Sequence, residues 1–392
     1  MTLSQYDKGN STGLGQRGVK RAVPPLNYLE VGASCLWPFI FWQQLEETAE
    51  GSVKDRLKFL EVVERTQVDR PKPAWATSNE ILMDTKTMLL RDFAPKRNGT
   101  ATLVVSPYAG HSSMIVDFQK GQSLVQELVN DGVGHVLAID WKSATDDMRD
   151  FTIDDYLAQL NAAVDELGGR VNLAGMCQGG WLSAMYASRF PDKVNTLVLG
   201  GAPIDTGAGE GMVREYALNY PMDVFEELVA AGGGLMRGEF LLMGFKSLHP
   251  EKQYVDKFIE LYENIEDDIY VQKFEHFEKW YEYTINLPGR WYLQVVKELF
   301  KENQFFNGEF VGLGKKLSLG DIKCPVFLLV GESDDITPPA QVFNTEKRLG
   351  TRKSQIEMMV AKGGHIGLFM GARTLRESWP KIAHWIKANS RR

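Results

Sequence analysis

Short apolar runs alternate with amphipathic stretches through most of the chain. The runs 102–106 (TLVVS), 135–141 (HVLAIDW), 171–176 (VNLAGM), 196–200 (TLVLG), 326–330 (VFLLV) and 356–360 (IEMMV) are almost unbroken. Runs of this kind predict strands buried on both faces, as in a parallel sheet. Between them the pattern predicts helices over about 115–130, from Thr152, and over 178–189, with a last helix ending near Lys387. At Thr152 the spacing resembles a capping box, with Asp155 three residues on and Tyr156, Leu160, Ala163 and Leu167 along one face. Residues 81–83 and 88–93 read as two short strands, an antiparallel pair ahead of the alternation. The expected fold class is α/β, a mostly parallel sheet covered by helices.

The alternation stops after Pro203. Residues 206–314 are helix-like and rich in aromatics, among them Phe258, Tyr262, Phe274, Phe277, Trp280, Tyr281 and Trp291. They read as an insertion between two sheet strands. The expected organisation is therefore an N-terminal tail and helical segment (1–75), a first core half (76–205), a helical lid (206–314) and a second core half (315–392). Aromatics at helical spacing mostly pack against one another, and some are expected to line an apolar cleft. Within the first segment, 1–25 is polar and glycine-rich and reads as a flexible tail.

Composition narrows the function classes. A net charge of −7 over 392 residues, with no long basic block, gives no support to nucleic-acid binding. No apolar run approaches the ~20 residues of a membrane span. The cluster 35–42 is interrupted by Pro38 and lacks a cleavage site, so no signal peptide is expected and the location is expected to be cytoplasmic. Three cysteines, Cys35, Cys177 and Cys324, do not form a disulfide framework, and none has metal-ligand spacing to a histidine. No nucleotide motif is present either, so no bound cofactor or metal is expected.

Cys177 stands apart because of its neighbours. Gly175-Met176-Cys177-Gln178-Gly179, followed by Gly180, lies where an apolar strand meets a helix. That is the context of a nucleophile elbow, with cysteine in the serine position. A side chain thrust up at a helix N-terminus lies among unpaired N–H dipoles that favour a thiolate. The N–H of Gln178 is a candidate oxyanion donor. Strand 326–330 runs into Asp334, and strand 356–360 runs into Gly363-Gly364-His365. Nucleophile, acid and base thus occur in the chain order of an α/β-hydrolase fold, each just past a strand. Asp335 and Asp205 are alternative acids. The loop after the first parallel strand, Pro107-Tyr108-Ala109-Gly110-His111, is expected to give the second oxyanion donor from Tyr108 or Ala109; Gly110 serves either ligand approach or a tight turn.

At these residues the chain resembles two related families of polyhydroxyalkanoate metabolism, both on an α/β-hydrolase core. Met176-Cys177-Gln178-Gly179-Gly180, the segment Asp321 to Val326 and Gly363-Gly364-His365-Ile366-Gly367 look like polyhydroxyalkanoate synthases, which carry a Cys-Asp-His triad. Ser106 to His111, Gly201-Ala202-Pro203-Ile204-Asp205 and Met243 to Pro250 resemble the intracellular polyhydroxybutyrate depolymerases that use cysteine. The resemblance covers roughly residues 76–392 and implies that Cys177, Asp334 and His365 form the triad. It implies ester hydrolysis of polyhydroxyalkanoate as the first reading and 3-hydroxyacyl-CoA polymerisation as the alternative; a non-catalytic granule protein is the third. The partners implied are a polyester or 3-hydroxyacyl ester or thioester, a storage-granule surface and a second copy of the chain. The run 36–42 either packs on the body or presses on such a surface.

Overall fold

The structure is a computed structural model, and it describes residues 53–94 and 96–390. The expectations for the tail 1–25, for Cys35 and for 36–42 lie outside the described residues. Two compact units are present: one of 53–72 with 243–282, the other of 73–242 with 283–390.

The larger unit is built on an eight-stranded sheet. Its strands are β1 (Glu80–Asp84), β2 (Met88–Asp92), β3 (Thr102–Val105), β4 (Val136–Trp141), β5 (Val171–Met176), β6 (Val194–Gly200), β7 (Val326–Gly331) and β8 (Ile356–Ala361). They lie in the order β1-β2-β4-β3-β5-β6-β7-β8. The first two pairings, β1 with β2 and β2 with β4, are antiparallel, and all the others are parallel. Every residue of β3 to β7 is buried, which requires cover on both faces of the sheet. The edges β1 and β8 alternate towards exposure instead.

Helices α1 (Leu124–Asn130), α2 (Ile153–Glu166), α3 (Gln178–Arg189) and α4 (Trp379–Asn389) supply the cover, with α1 packed on α4 and α2 on α3. α2 starts where expected. The Asp155 carboxylate accepts both the backbone N–H of Thr152, at 2.7 Å, and its hydroxyl, at 3.0 Å. The helix expected over 115–130 is corrected. A 3-10 turn at Ser113–Val116 and a two-strand ribbon, Asp117–Gln119 with Gln122–Ser123, precede a helix that begins only at Leu124. Gly121 turns at φ 81°, and the fully buried Asp117 accepts from Ser123 Oγ at 2.6 Å and from Thr77 N–H at 2.9 Å. A carboxylate tied to its own neighbours in this way competes with helical backbone bonding. Ser123 then caps α1, accepting from the Gln126 N–H at 3.0 Å.

The smaller unit joins helix Val53–Val63 and the π-helical turn Glu64–Val68 to helices Lys257–Glu263 and Asp268–Glu282. Phe59, Val62, Phe258, Leu261, Tyr262 and Phe274 form its apolar core. Beside that core the buried Lys257 pairs with Glu278 at 2.7 Å, while Lys246 and Arg70 reach the fully buried Glu282 at 2.5 and 3.5 Å.

Replacing Asp155 by alanine strands both Thr152 donors at the start of α2. Urea denaturation of Asp155→Ala is expected to show a loss of about 1 kcal/mol relative to wild type.

Candidate active site

Cys177 occupies the sharp turn between β5 and α3. Its backbone lies at φ 50°, ψ −117°, a strained conformation for a residue with a Cβ. Two bonds hold it: the Cys177 N–H donates to Gly200 O at 2.8 Å, and the Gly180 N–H donates to Cys177 O at 2.9 Å. The flanking glycines make the turn possible. A Cβ on Gly179 would lie 2.1 Å from the carbonyl oxygen of Val105, and one on Gly175 would lie 2.5 Å from that of Gly179. The N-terminus of α3 therefore rests directly on the end of β3.

That approach also brings two expected oxyanion elements, the start of α3 and the loop after β3, close together. Gln178 is the first residue of α3, so its N–H has no acceptor within the helix. The loop beginning at Pro107 leaves β3 at the point where Gly179 touches Val105 and Ser106. The Tyr108 side chain is not part of a cleft wall. It is buried between Trp141, Tyr156 and Trp291, and its hydroxyl bonds that of Tyr156 at 2.8 Å. Burial pushes its phenol pKa far up, despite that bond. Gly110 has φ 90°, and its carbonyl accepts the Ile285 N–H at 2.8 Å, while His111 pairs in a short bridge with Thr284. Gly110 thus serves a turn that is tied to 284–285. The position of Ala109 beside this turn leaves its N–H a candidate donor only by proximity.

His365 and Asp334 meet as the chain order implies. His365 Nδ1 lies 2.8 Å from Asp334 Oδ2, and the Cys177 side chain is close enough to the imidazole to act on its charge. The other carboxylate oxygen, Asp334 Oδ1, accepts the N–H groups of Ile336 and Thr337 at 3.1 and 2.8 Å. Asp334 therefore orients the imidazole while the following turn orients Asp334. Burial alone pushes the imidazolium down, but the Asp334 carboxylate and the Cys177 sulfur together hold His365 well above its ordinary range. The rival carboxylate Asp205 is spent elsewhere, accepting from Asn303 and Asn344 Nδ2 at 2.8 and 2.7 Å. His384 is exposed on α4.

Sequence reasoning missed two supports of the imidazole. Gly201, at φ 53°, lies so close under the ring that a Cβ there would sit 3.2 Å from His365 Cε1. Phe369 meets the ring edge-on, with centroids 5.4 Å apart. The Gly200-Gly201 doublet after β6 was the available signal. Among the described residues no His, Cys, Asp and Glu cluster has the makings of a metal site.

The family described as "Protein of unknown function (DUF3141)" matches residues 82–388. The chain belongs to that family. It is also similar to proteins named poly(3-hydroxyalkanoate) polymerase subunit PhaC. The Haloferax mediterranei protein is 31% identical over 290 residues, 70% of this chain and 56% of its own length. The Allochromatium vinosum protein is 29% identical over 75% of this chain and 82% of its own. That of Synechocystis is 28% identical over 89% and 95%. The chain thus spans little more than half the length of some of these relatives. Among solved structures, a monoacylglycerol lipase of Paleococcus ferrophilus matches with TM-score 0.50 and 18% identity, over 79% of this chain and all of the lipase. The fold is that of the α/β-hydrolases. No helix among the described residues is long and apolar enough to cross a membrane.

Two outcomes follow from this geometry. Gly179→Ala forces α3 off β3, and chemical denaturation is expected to show a loss of about 1–3 kcal/mol. The raised pKa of His365 stabilises the fold fully below the ordinary histidine value of about 6.5, and the benefit fades as pH rises through the higher folded value. In Asp334→Asn that pH dependence is expected to flatten, read from urea midpoints between pH 6 and 9.

Proposed function

We propose that the chain transfers 3-hydroxyacyl groups through an acyl-cysteine on Cys177, with His365 as the base and Asp334 orienting it. The observation that carries this reading is the contact chain from the Cys177 thiol through the His365 imidazole to the Asp334 carboxylate, at 2.8 Å for the last link. In the first half-reaction the Cys177 sulfur attacks the carbonyl of a 3-hydroxyacyl thioester. The oxyanion is met by the Gln178 N–H and a second N–H from the loop at Tyr108 or Ala109. The departing thiolate, which coenzyme A would supply, takes the proton from His365. In the second, the hydroxyl of a growing chain attacks the acyl-cysteine, gives its proton to His365 and frees the Cys177 sulfur.

The names of the relatives favour this polymerising direction over hydrolysis, although the loop 106–111 and the segment 201–205 had pointed first to a depolymerase. The same acyl-cysteine yields hydroxy acid if water replaces the hydroxyl, so both directions share one intermediate. A granule surface and self-association belong to this reading as partners; a merely structural granule protein would need neither the thiol–imidazole contact nor the buried carboxylate behind it.

Purified protein given 3-hydroxybutyryl-coenzyme A is expected to release free thiol and form polymer, with Cys177→Ala inert. Soluble 3-hydroxybutyrate released from amorphous polyester granules, without polymer growth, would favour the depolymerase instead. Iodoacetamide should also separate the cysteines in a Cys35→Ser background. Cys177 is half-buried beside the His365 imidazole, whereas burial pushes the Cys324 thiol up to about 12. Mass spectrometry is expected to find Cys177 labelled first; equal labelling of both would count against an activated Cys177.

A further inference from the structure

Cys177, Asp334 and His365 all follow strand C-termini. At the opposite end, where β5, β6, β7 and β8 begin, lies a cavity of about 530 Å³. Six strand residues at roughly 3.3 Å each separate it from Cys177 by about 20 Å. Its volume falls within the ~300–1,000 Å³ of small-molecule sites.

Three cations face this cavity: Arg170 ahead of β5, Lys323 ahead of β7 and Arg352 ahead of β8. None of them forms an ion pair among the described residues, although the chain as a whole is acidic, at −7. The one carboxylate in the wall is Asp192, so the rim carries a clear excess of positive charge. Asn195 and Gln355 add neutral polar groups, and Arg352 Nε donates to Gln355 Oε1 at 3.3 Å, which directs the guanidinium. Gly350 leaves room for the lysine: a Cβ there would lie 2.1 Å from Lys323 Nζ. Val194, Pro325 and Cys324 add apolar surface to a lining that is otherwise polar. The Cys324 thiol stays neutral, since burial pushes its pKa up to about 12, and so it adds no competing negative charge.

We propose that this cavity binds a small polyanion carrying two or more phosphate groups, held by Arg170, Lys323 and Arg352 and separate from the Cys177 site. Unpaired guanidinium and ammonium groups around one concave surface are matched by phosphate oxygens, which accept from several donors at once. The whole length of the sheet keeps such a ligand away from the reacting sulfur.

Isothermal titration of the full chain with pyrophosphate, and separately with ADP, at about 150 mM salt tests the proposal. Saturable one-to-one binding is expected, roughly five- to tenfold weaker in each of Arg170→Gln, Lys323→Gln and Arg352→Gln, and unchanged in Cys177→Ala. ADP binding tighter than pyrophosphate would mean that the apolar part of the lining receives the nucleoside; equal affinities would confine the site to the phosphates. The three substitutions are at exposed positions, and circular dichroism checks that they fold. No saturable binding at millimolar pyrophosphate or ADP would overturn the proposal. Wild-type affinity in the triple variant would do the same, as would loss of binding in Cys177→Ala.

Discussion

The site depends on one close approach, that of the α3 N-terminus to the end of β3. With Gly179 against the Val105 carbonyl, no room remains for a relaxed turn, and Cys177 is driven to φ 50°. A non-glycine residue in such a conformation costs about 1–3 kcal/mol. The cost is carried by the buried sheet on either side and by the hydrogen bonds from Cys177 N–H to Gly200 and from Gly180 N–H to Cys177. In return the sulfur is presented at a helix start, beside the first unpaired N–H of α3. The same contact holds the α3 N-terminus against the point where the loop after β3 begins. Strain and helix terminus are thus one geometric consequence.

Burial sets the electrostatics of what meets that sulfur. His365 and Asp334 are each only 5% exposed, so neither tolerates a lone charge well. Their contact resolves the problem for both: the carboxylate keeps a proton on the ring, and the ring with the Ile336 and Thr337 N–H groups satisfies the carboxylate. Gly201 and Phe369 then fix the ring plane by packing. The smaller unit shows the same rule in a different use. Glu278 and Glu282 are buried beside Lys246, Lys257 and Arg70, and every charge there has an opposite partner. Buried pairs of this kind are strongly destabilising to break and weak as net stabilisers, so they select one arrangement of the helices rather than deepen the fold.

The two ends of the parallel strands differ for a related reason. At the C-terminal end, charges are desolvated and paired. At the N-terminal end, three exposed cations line a cavity, and none of them pairs with a carboxylate among the described residues. Paired groups tune one another, whereas unpaired exposed ones face solvent.

Much of the arrangement was legible in the residues themselves. Unbroken apolar runs gave away β3 to β7 because strands covered on both faces admit no polar alternation; the run 356–360 gave away β8 as a strand but not its exposure, which comes from its place at the sheet edge. The G-x-C-x-G spacing exposed the elbow because only glycine fits so near backbone. The order of Cys177, Asp334 and His365 exposed their meeting because parallel strands deliver their C-termini to one edge. The helix expected over 115–130 failed because periodicity is blind to a buried Asp117 that bonds its own neighbours and to the turn at Gly121. Tyr108 and Trp291, like most of the aromatics, carry no mark in sequence of whether they line a cleft or fill a core; partners distant in the chain decided that. So did the choice of Asp334 over Asp205, which both follow strands, since only the folded chain gives one the imidazole and the other Asn303 and Asn344. Local spacing determined which chemistry the chain holds, because backbone geometry repeats every few residues. Tertiary structure decided which groups touch, because those contacts join strands and loops far apart along the chain.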